Sequence, residues 1–387
     1  WFCALRVSFI LKDQGESTRR YSVYTHPVSK SLAANASELN YEEQLVENLV
    51  RNREFNETII RYLERQIPDA EEISVVITRM MGGRSWDLFG IRANWQENGE
   101  PESDAWVFKV APKGGILEPH DPSVEFRLLQ FYKDSGLPVP QPVWLEMDEA
   151  TLGRPFYAME WVEAEIPSLD DPRFEDPSEK AKYGNEFAEM LARIHALDWQ
   201  AGSLADFLPP HDASGKDPVE REITWMEEKA ESMELPPTPA LRALFQWLRA
   251  NRPIIPNTEA RLVFGDYRFD NFFWKDGKIV SLLDFEMGLI GHPMEDVAFA
   301  RFLSGWAGLH GDQARHYEEA SGIKIDEELV SYFTLLKITQ INVIVSLAGI
   351  QGAMQGRSRD ARSLSLASGA HVQSVAMLGG IVGGPAQ

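Results

Sequence analysis

The sequence predicts an α+β chain, a strand-rich first half with one inserted helix followed by a mostly helical second half. Three observations carry this. Runs of β-branched and aromatic residues separated by turn residues recur from residue 73 to residue 161. Apolar residues at helical spacing dominate after about Val162, and one hairpin signal interrupts them between Val263 and Glu286.

Taken in order, Leu45, Leu49, Ile59, Tyr62 and Leu63 predict a helix from Tyr41 to Ile67, ended by Pro68. Strands are predicted over Ile73–Met80, Trp86–Trp95, Ala105–Val110, Val143–Met147 and Phe156–Trp161, with a helix over Ser123–Tyr132 that carries Glu125. A small, mostly antiparallel sheet with one helix inserted suits an α+β lobe. An acidic, proline-bearing stretch from Glu163 to Glu179 leads into a helix whose apolar face includes Phe187, Met190, Leu191 and Ile194. Asp326 is the N-cap of a long helix predicted from Glu327 to Gln355, with two glutamates favouring its first turn. Lys337, Gln340 and Asn342 break its apolar run, so a buried amphipathic helix is expected, not a membrane span.

The 387 residues, 44% of them hydrophobic, suffice for a packed core of one bilobal unit or two modest domains. With 38 basic against 59 acidic residues the formal charge is -21, which disfavours non-specific nucleic-acid binding because that needs cations along a phosphate backbone. A small anion could still bind where cations are focused, with Lys109, Arg84 and Arg268 the foremost candidates. The single cysteine, Cys3, excludes an internal disulfide framework and a cysteine-based zinc site and suits a reducing cytoplasm. The opening apolar stretch is short and interrupted by Arg6, without the flanks of a signal peptide or the roughly 20 apolar residues of a span. Residues 1–40 read as an extension without a legible role, and no membrane partner is expected.

The chemistry concentrates in Val263-Phe264-Gly265-Asp266-Tyr267-Arg268-Phe269-Asp270-Asn271, followed by a Lys275-Asp276-Gly277-Lys278 turn and by Ile279 to Glu286. Asp266 and Asn271 fall on one short loop between apolar segments, and Asp284 stands where the next strand ends. Three oxygen-bearing side chains can therefore converge, one to deprotonate a hydroxyl and two to hold magnesium against the phosphates of ATP. A solvated β-turn uses the same residue types, but it has no need of acceptors bracketed by core strands. Between two strands, Arg79 to Ser85 includes Gly82, Gly83, Arg84 and Ser85, where paired glycines let backbone amides approach an anion and Ser85 adds a hydroxyl. A plain hairpin turn would have the same composition.

With Gly291-His292-Pro293-Met294-Glu295-Asp296 and Leu191-Ala192-Arg193-Ile194-His195, these motifs resemble the aminoglycoside phosphotransferase and choline kinase-like family. They are most similar to its branch of kinase-like domains fused to acyl-CoA dehydrogenases. The resemblance implies a bilobal, protein-kinase-like fold with residues 41–162 as the nucleotide-covering lobe and 163–387 as the lobe carrying the catalytic loop, metal and substrate sites. It implies an ATP- and magnesium-dependent kinase acting on a hydroxyl of a small molecule: an aminoglycoside-like antibiotic, a hydroxyacyl thioester or another alcohol. By that resemblance Asp266 is the base, Asn271 and Asp284 the magnesium ligands, and Lys109 the phosphate-gripping lysine, paired with Glu125. Glu286 either assists a second metal or hydrogen-bonds within its loop. Met159 to Val162, including Glu160, would be the hinge whose backbone meets adenine, against an ordinary strand end. The family usually has histidine where this chain has Phe264, and a nucleotide-binding pseudokinase scaffold is the alternative that this motivates. His195 is expected to pack and hydrogen-bond, and Asp296 to hold the catalytic loop through backbone amides.

Overall fold

The computed structural model describes residues 8–12, 18–22, 41–80, 85–112, 120–208, 217–233, 239–254, 256, 259–347 and 351. The chain divides into two compact units, Trp1–Glu57 and Thr58–Gln387. The first contains an antiparallel hairpin, β1 (Ser8–Lys12) and β2 (Thr18–Ser22), with Ser8 opposite Ser22, and the greater part of helix α1 (Tyr41–Gln66). That hairpin falls in the segment read as an extension. β1, Ser-Phe-Ile-Leu-Lys, is an unbroken apolar run and β2, Thr-Arg-Arg-Tyr-Ser, is mostly polar, so neither five-residue strand shows an alternation to read.

The second unit opens with a five-stranded antiparallel sheet built from β3 (Ala70–Arg79), β4 (Asp87–Glu97), β5 (Glu100–Val110), β6 (Pro142–Glu146) and β7 (Phe156–Glu160), in the order β3-β4-β5-β7-β6. β5 starts at Glu100, ahead of the predicted Ala105, because Asn98-Gly99, both at positive φ, closes a two-residue hairpin that pairs Glu97 with Glu100. Pairing extends this strand through residues whose composition argues against it. On the sheet, Tyr62 of α1 lies edge-on to Phe108, Trp144 and Phe156.

Asp-Pro pairs start three of the helices: α2 (Pro122–Asp134), α3 (Pro177–His195) and α4 (Pro218–Glu231). In each, the aspartate accepts a first-turn amide and the proline fills a position with no amide to satisfy. After α5 (Pro239–Ala250), β8 (Arg261–Val263) leads to a hairpin of β9 (Phe272–Lys275) and β10 (Lys278–Leu282), and β11 (Leu289–Gly291) returns antiparallel to β8. α6 (Met294–Leu303), α7 (Asp312–Ser321) and α8 (Glu327–Ile341) follow. Asp326 caps α8 as expected, accepting the amides of Glu328 and Leu329. After Ile341 the helix widens into a π segment, Asn342–Leu347, and Gln351 is again helical; the rest of the predicted span to Gln355 lies outside the described residues. Among the described residues no helix is long and apolar enough to cross a membrane.

Candidate active site

The loop between β8 and β9 rests on an aromatic layer. Phe264, Tyr267, Phe269 and Phe272 are buried against Phe187 and one another, and the Tyr267 hydroxyl donates to the Phe187 carbonyl at 2.6 Å. Phe264 therefore fills the place read as a departure with packing, next to Phe285. The loop backbone is gripped by Asp296, fully buried at the start of α6, which accepts the amides of Phe264 at 2.7 Å and Gly265 at 2.8 Å. His195 on α3 lies 3.1 Å from the same carboxylate and 2.8 Å from the Tyr317 hydroxyl, so it is a core hydrogen-bonding residue.

Gly265 adopts φ +87, and a Cβ there would lie 1.9 Å from the Met287 carbonyl oxygen. Gly265→Ala should lower stability by at least about 1–3 kcal/mol, the scale of one strained backbone residue, read as a drop in the denaturant midpoint. An unchanged midpoint would mean that the loop approaches the 285–288 turn less closely.

On this platform the Asn271 amide donates to the Asp266 carboxylate at 2.8 Å and to its backbone carbonyl at 2.9 Å. Arg268 flanks the same carboxylate at 3.2 Å and Asp270 at 2.9 Å. Burial pushes the Asp266 carboxyl up to about 6, against the pull of Arg268. The Leu283 amide donates to the Asn271 carbonyl at 3.1 Å, tying the loop to the strand end that carries Asp284. Asp284 itself adopts φ 64, a left-handed conformation costly for most residues and commonest in Asn and Asp.

From the sheet, Lys109 reaches 2.7 Å from Glu125 on α2 and 3.2 Å from Asp284. Glu125 also accepts the Phe285 amide at 3.1 Å, so one carboxylate fixes both the lysine and the backbone beside Asp284. Burial works against the charge on Lys109, but Glu125, Tyr157, Asp284 and Glu286 hold its pKa well above the ordinary value. Ser85 and Trp86 both donate to the Glu286 carboxylate, whose pKa burial pushes up to about 8. Lys109, Glu125, Ser85, Asp266, Asn271, Asp284 and Glu286 thus form one chain of contacts and shared loops. Gly83 and Arg84 lie outside the described residues.

Glu160 and Val162 are set apart. β7 pairs with β5 so that Tyr157 faces Lys109 and Glu160 faces Trp106, about 10 Å further along at the usual strand rise. The Glu160 carboxylate turns to the Gln141 amide at 3.1 Å. Sequence reasoning missed Trp86, whose only signal was its place directly after Ser85, and named Arg268 as a candidate for an anion without its pairing to Asp266. Among the described residues no three His, Cys, Asp or Glu side chains group as a metal site.

This is the fold of the kinase-like phosphotransferases. It is similar to a candidate aminoglycoside phosphotransferase of Ralstonia eutropha, with a TM-score of 0.60 and 21% identity over 83% of this chain and 96% of that one. It is similar also to the GDP complex of aminoglycoside 2'-phosphotransferase-IIIa, with a TM-score of 0.54 and 18% identity over 83% and 99%. Residues 93–328 match the family model of the phosphotransferase enzyme family, and the chain belongs to that family. Among curated proteins it is 27% identical to acyl-CoA dehydrogenase family member 11 of Pongo abelii over 76% of this chain and 37% of that protein. The chain thus spans little more than a third of that relative.

Proposed function

We propose that the chain is an ATP- and magnesium-dependent kinase that moves the γ-phosphoryl group to a hydroxyl of a small molecule. The observation that carries this is the single ammonium of Lys109 bonded to both Glu125 and Asp284, with Asp266 and Asn271 bonded to each other on the adjoining loop. The donor set fits the metal: a carboxylate on Asp284, 39% exposed, and the Asn271 amide oxygen are the hard oxygen ligands magnesium takes, and two such ligands leave room for water and phosphate. When bound, magnesium supplies charge neutralisation at the phosphates.

The chain's own groups do the rest. Asn271 and Arg268 fix the Asp266 carboxylate, which takes the proton from the acceptor hydroxyl as the hydroxyl oxygen attacks the γ-phosphorus and the bond to the β–γ bridging oxygen breaks, releasing ADP. Glu125 holds Lys109 so that its ammonium faces the α- and β-phosphates. Ser85, when its hydroxyl leaves Glu286, supplies a donor on the phosphate side, and the backbone from Glu160 to Val162 meets adenine. Glu286, already accepting from Ser85 on one oxygen and Trp86 on the other, keeps one lone pair on each for a second metal or its water.

The GDP complex of a structural neighbour supports nucleotide binding. For the acceptor, the charge of -21 suits a polycation such as an aminoglycoside, while the acyl-CoA dehydrogenase relatives put hydroxyacyl thioesters in the same panel. A reducing cytoplasm suits the single cysteine. Phe264 favours a second reading, a nucleotide-binding scaffold without turnover. Calorimetry with magnesium ATP, followed by an ATP-consumption screen across aminoglycosides, hydroxyacyl thioesters and simple alcohols, tests the proposal. Magnesium-dependent binding and turnover with one class are expected. Binding without turnover across the panel would favour the scaffold, and no binding would overturn both.

A further inference from the structure

The Glu286 carboxylate is engaged at both oxygens by residues some two hundred positions earlier in the chain, the Ser85 hydroxyl on one and the Trp86 indole N–H on the other. A carboxylate withdrawn from water needs donors, and the indole nitrogen can only donate. Trp86 is 7% exposed, and its ring is held edge-on by His120 at 5.4 Å and Tyr157 at 6.2 Å between centroids. The same ring lies 5.4 Å from the Lys109 ammonium, within cation–π range. One side chain therefore touches both charged groups that flank Asp284, one through its N–H and the other through its face.

We infer that Trp86 is a positioning residue: its indole N–H clasps Glu286, coupling the beginning of β4 to the loop that follows Asp284. Phenylalanine would keep most of the ring and its packing but lose the donor, and alanine at 286 would remove the acceptor. The clasp rests on the kinase reading only for its nucleotide readout.

The test is amide hydrogen exchange on the full chain without ligand, paired with magnesium ADP calorimetry, for wild type, Trp86→Phe, Glu286→Ala and the double variant. Trp86→Phe should speed exchange across 285–288, where the Gly288 amide donates to the Phe285 carbonyl at 2.9 Å. It should also weaken magnesium ADP about tenfold, the scale of one hydrogen bond to a charged group. In the Glu286→Ala background the same change should add little. Wild-type exchange at 285–288 in Trp86→Phe, or effects of the two substitutions that simply add, would overturn the clasp. Should Trp86→Phe unfold the chain, Glu286→Gln, which keeps an acceptor oxygen but loses the charge, must instead speed exchange at the start of β4, and unchanged exchange there overturns the clasp. If wild type binds no magnesium ADP, the kinase reading fails, while the exchange measurement still decides the clasp.

Discussion

Asp266→Asn should reduce phosphoryl transfer by about 10²–10⁴-fold, the usual worth of a positioned base, and leave magnesium nucleotide binding close to wild type. The amide cannot accept the acceptor's proton. Yet Lys109 pairs with Glu125 and Asp284 and not with this residue, whose backbone carbonyl still receives the Asn271 amide. The fold should not suffer, because burial already opposes the negative charge at this position. Turnover within a few-fold of wild type would remove Asp266 from the chemistry. Lost nucleotide binding would mean that the carboxylate serves the ligand and not the proton.

Lys109→Met should be the most damaging single change, in stability as well as in activity. Lys109 and Glu125 are 5% and 2% exposed in their side chains, and removing one partner of such a pair costs about 3–5 kcal/mol because the other charge is stranded. The stranded carboxylate also holds the Phe285 amide, so the strand end beside Asp284 should loosen with it. Adding Glu125→Gln should recover part of the stability, since the neutral side chain keeps an acceptor for Phe285, but none of the nucleotide affinity. Denaturant melts and calorimetry separate the two effects. A Lys109→Met protein as stable as wild type would show that the pair is not buried, and full nucleotide affinity would show that the lysine faces elsewhere.

Much of this site was legible in the chain because it is local. Asp266 and Asn271 are five residues apart on one loop, and Asp284 follows at the end of a hairpin whose Asp276-Gly277 turn and apolar flanks are written in sequence. The strands around Lys109 and the capped start at Asp326 were legible for the same reason, as periodicity and capping act over a few residues. What could not be read depends on partners distant in sequence. β5 runs through Pro101 and three acidic residues because β4 pairs with it.

The sequence by itself therefore determined the α+β order of elements, the acidic balance and the three oxygen-bearing residues with their spacing. Only the tertiary structure decided that Lys109 bonds Asp284 as well as Glu125, that Asp296 grips the loop backbone, and that Glu286 is held by Ser85 and Trp86. The reason is physical. Spacing along a chain limits what can meet within one loop or hairpin, whereas a buried charge takes whichever donor the packed core brings within reach, and that donor can lie two hundred residues away.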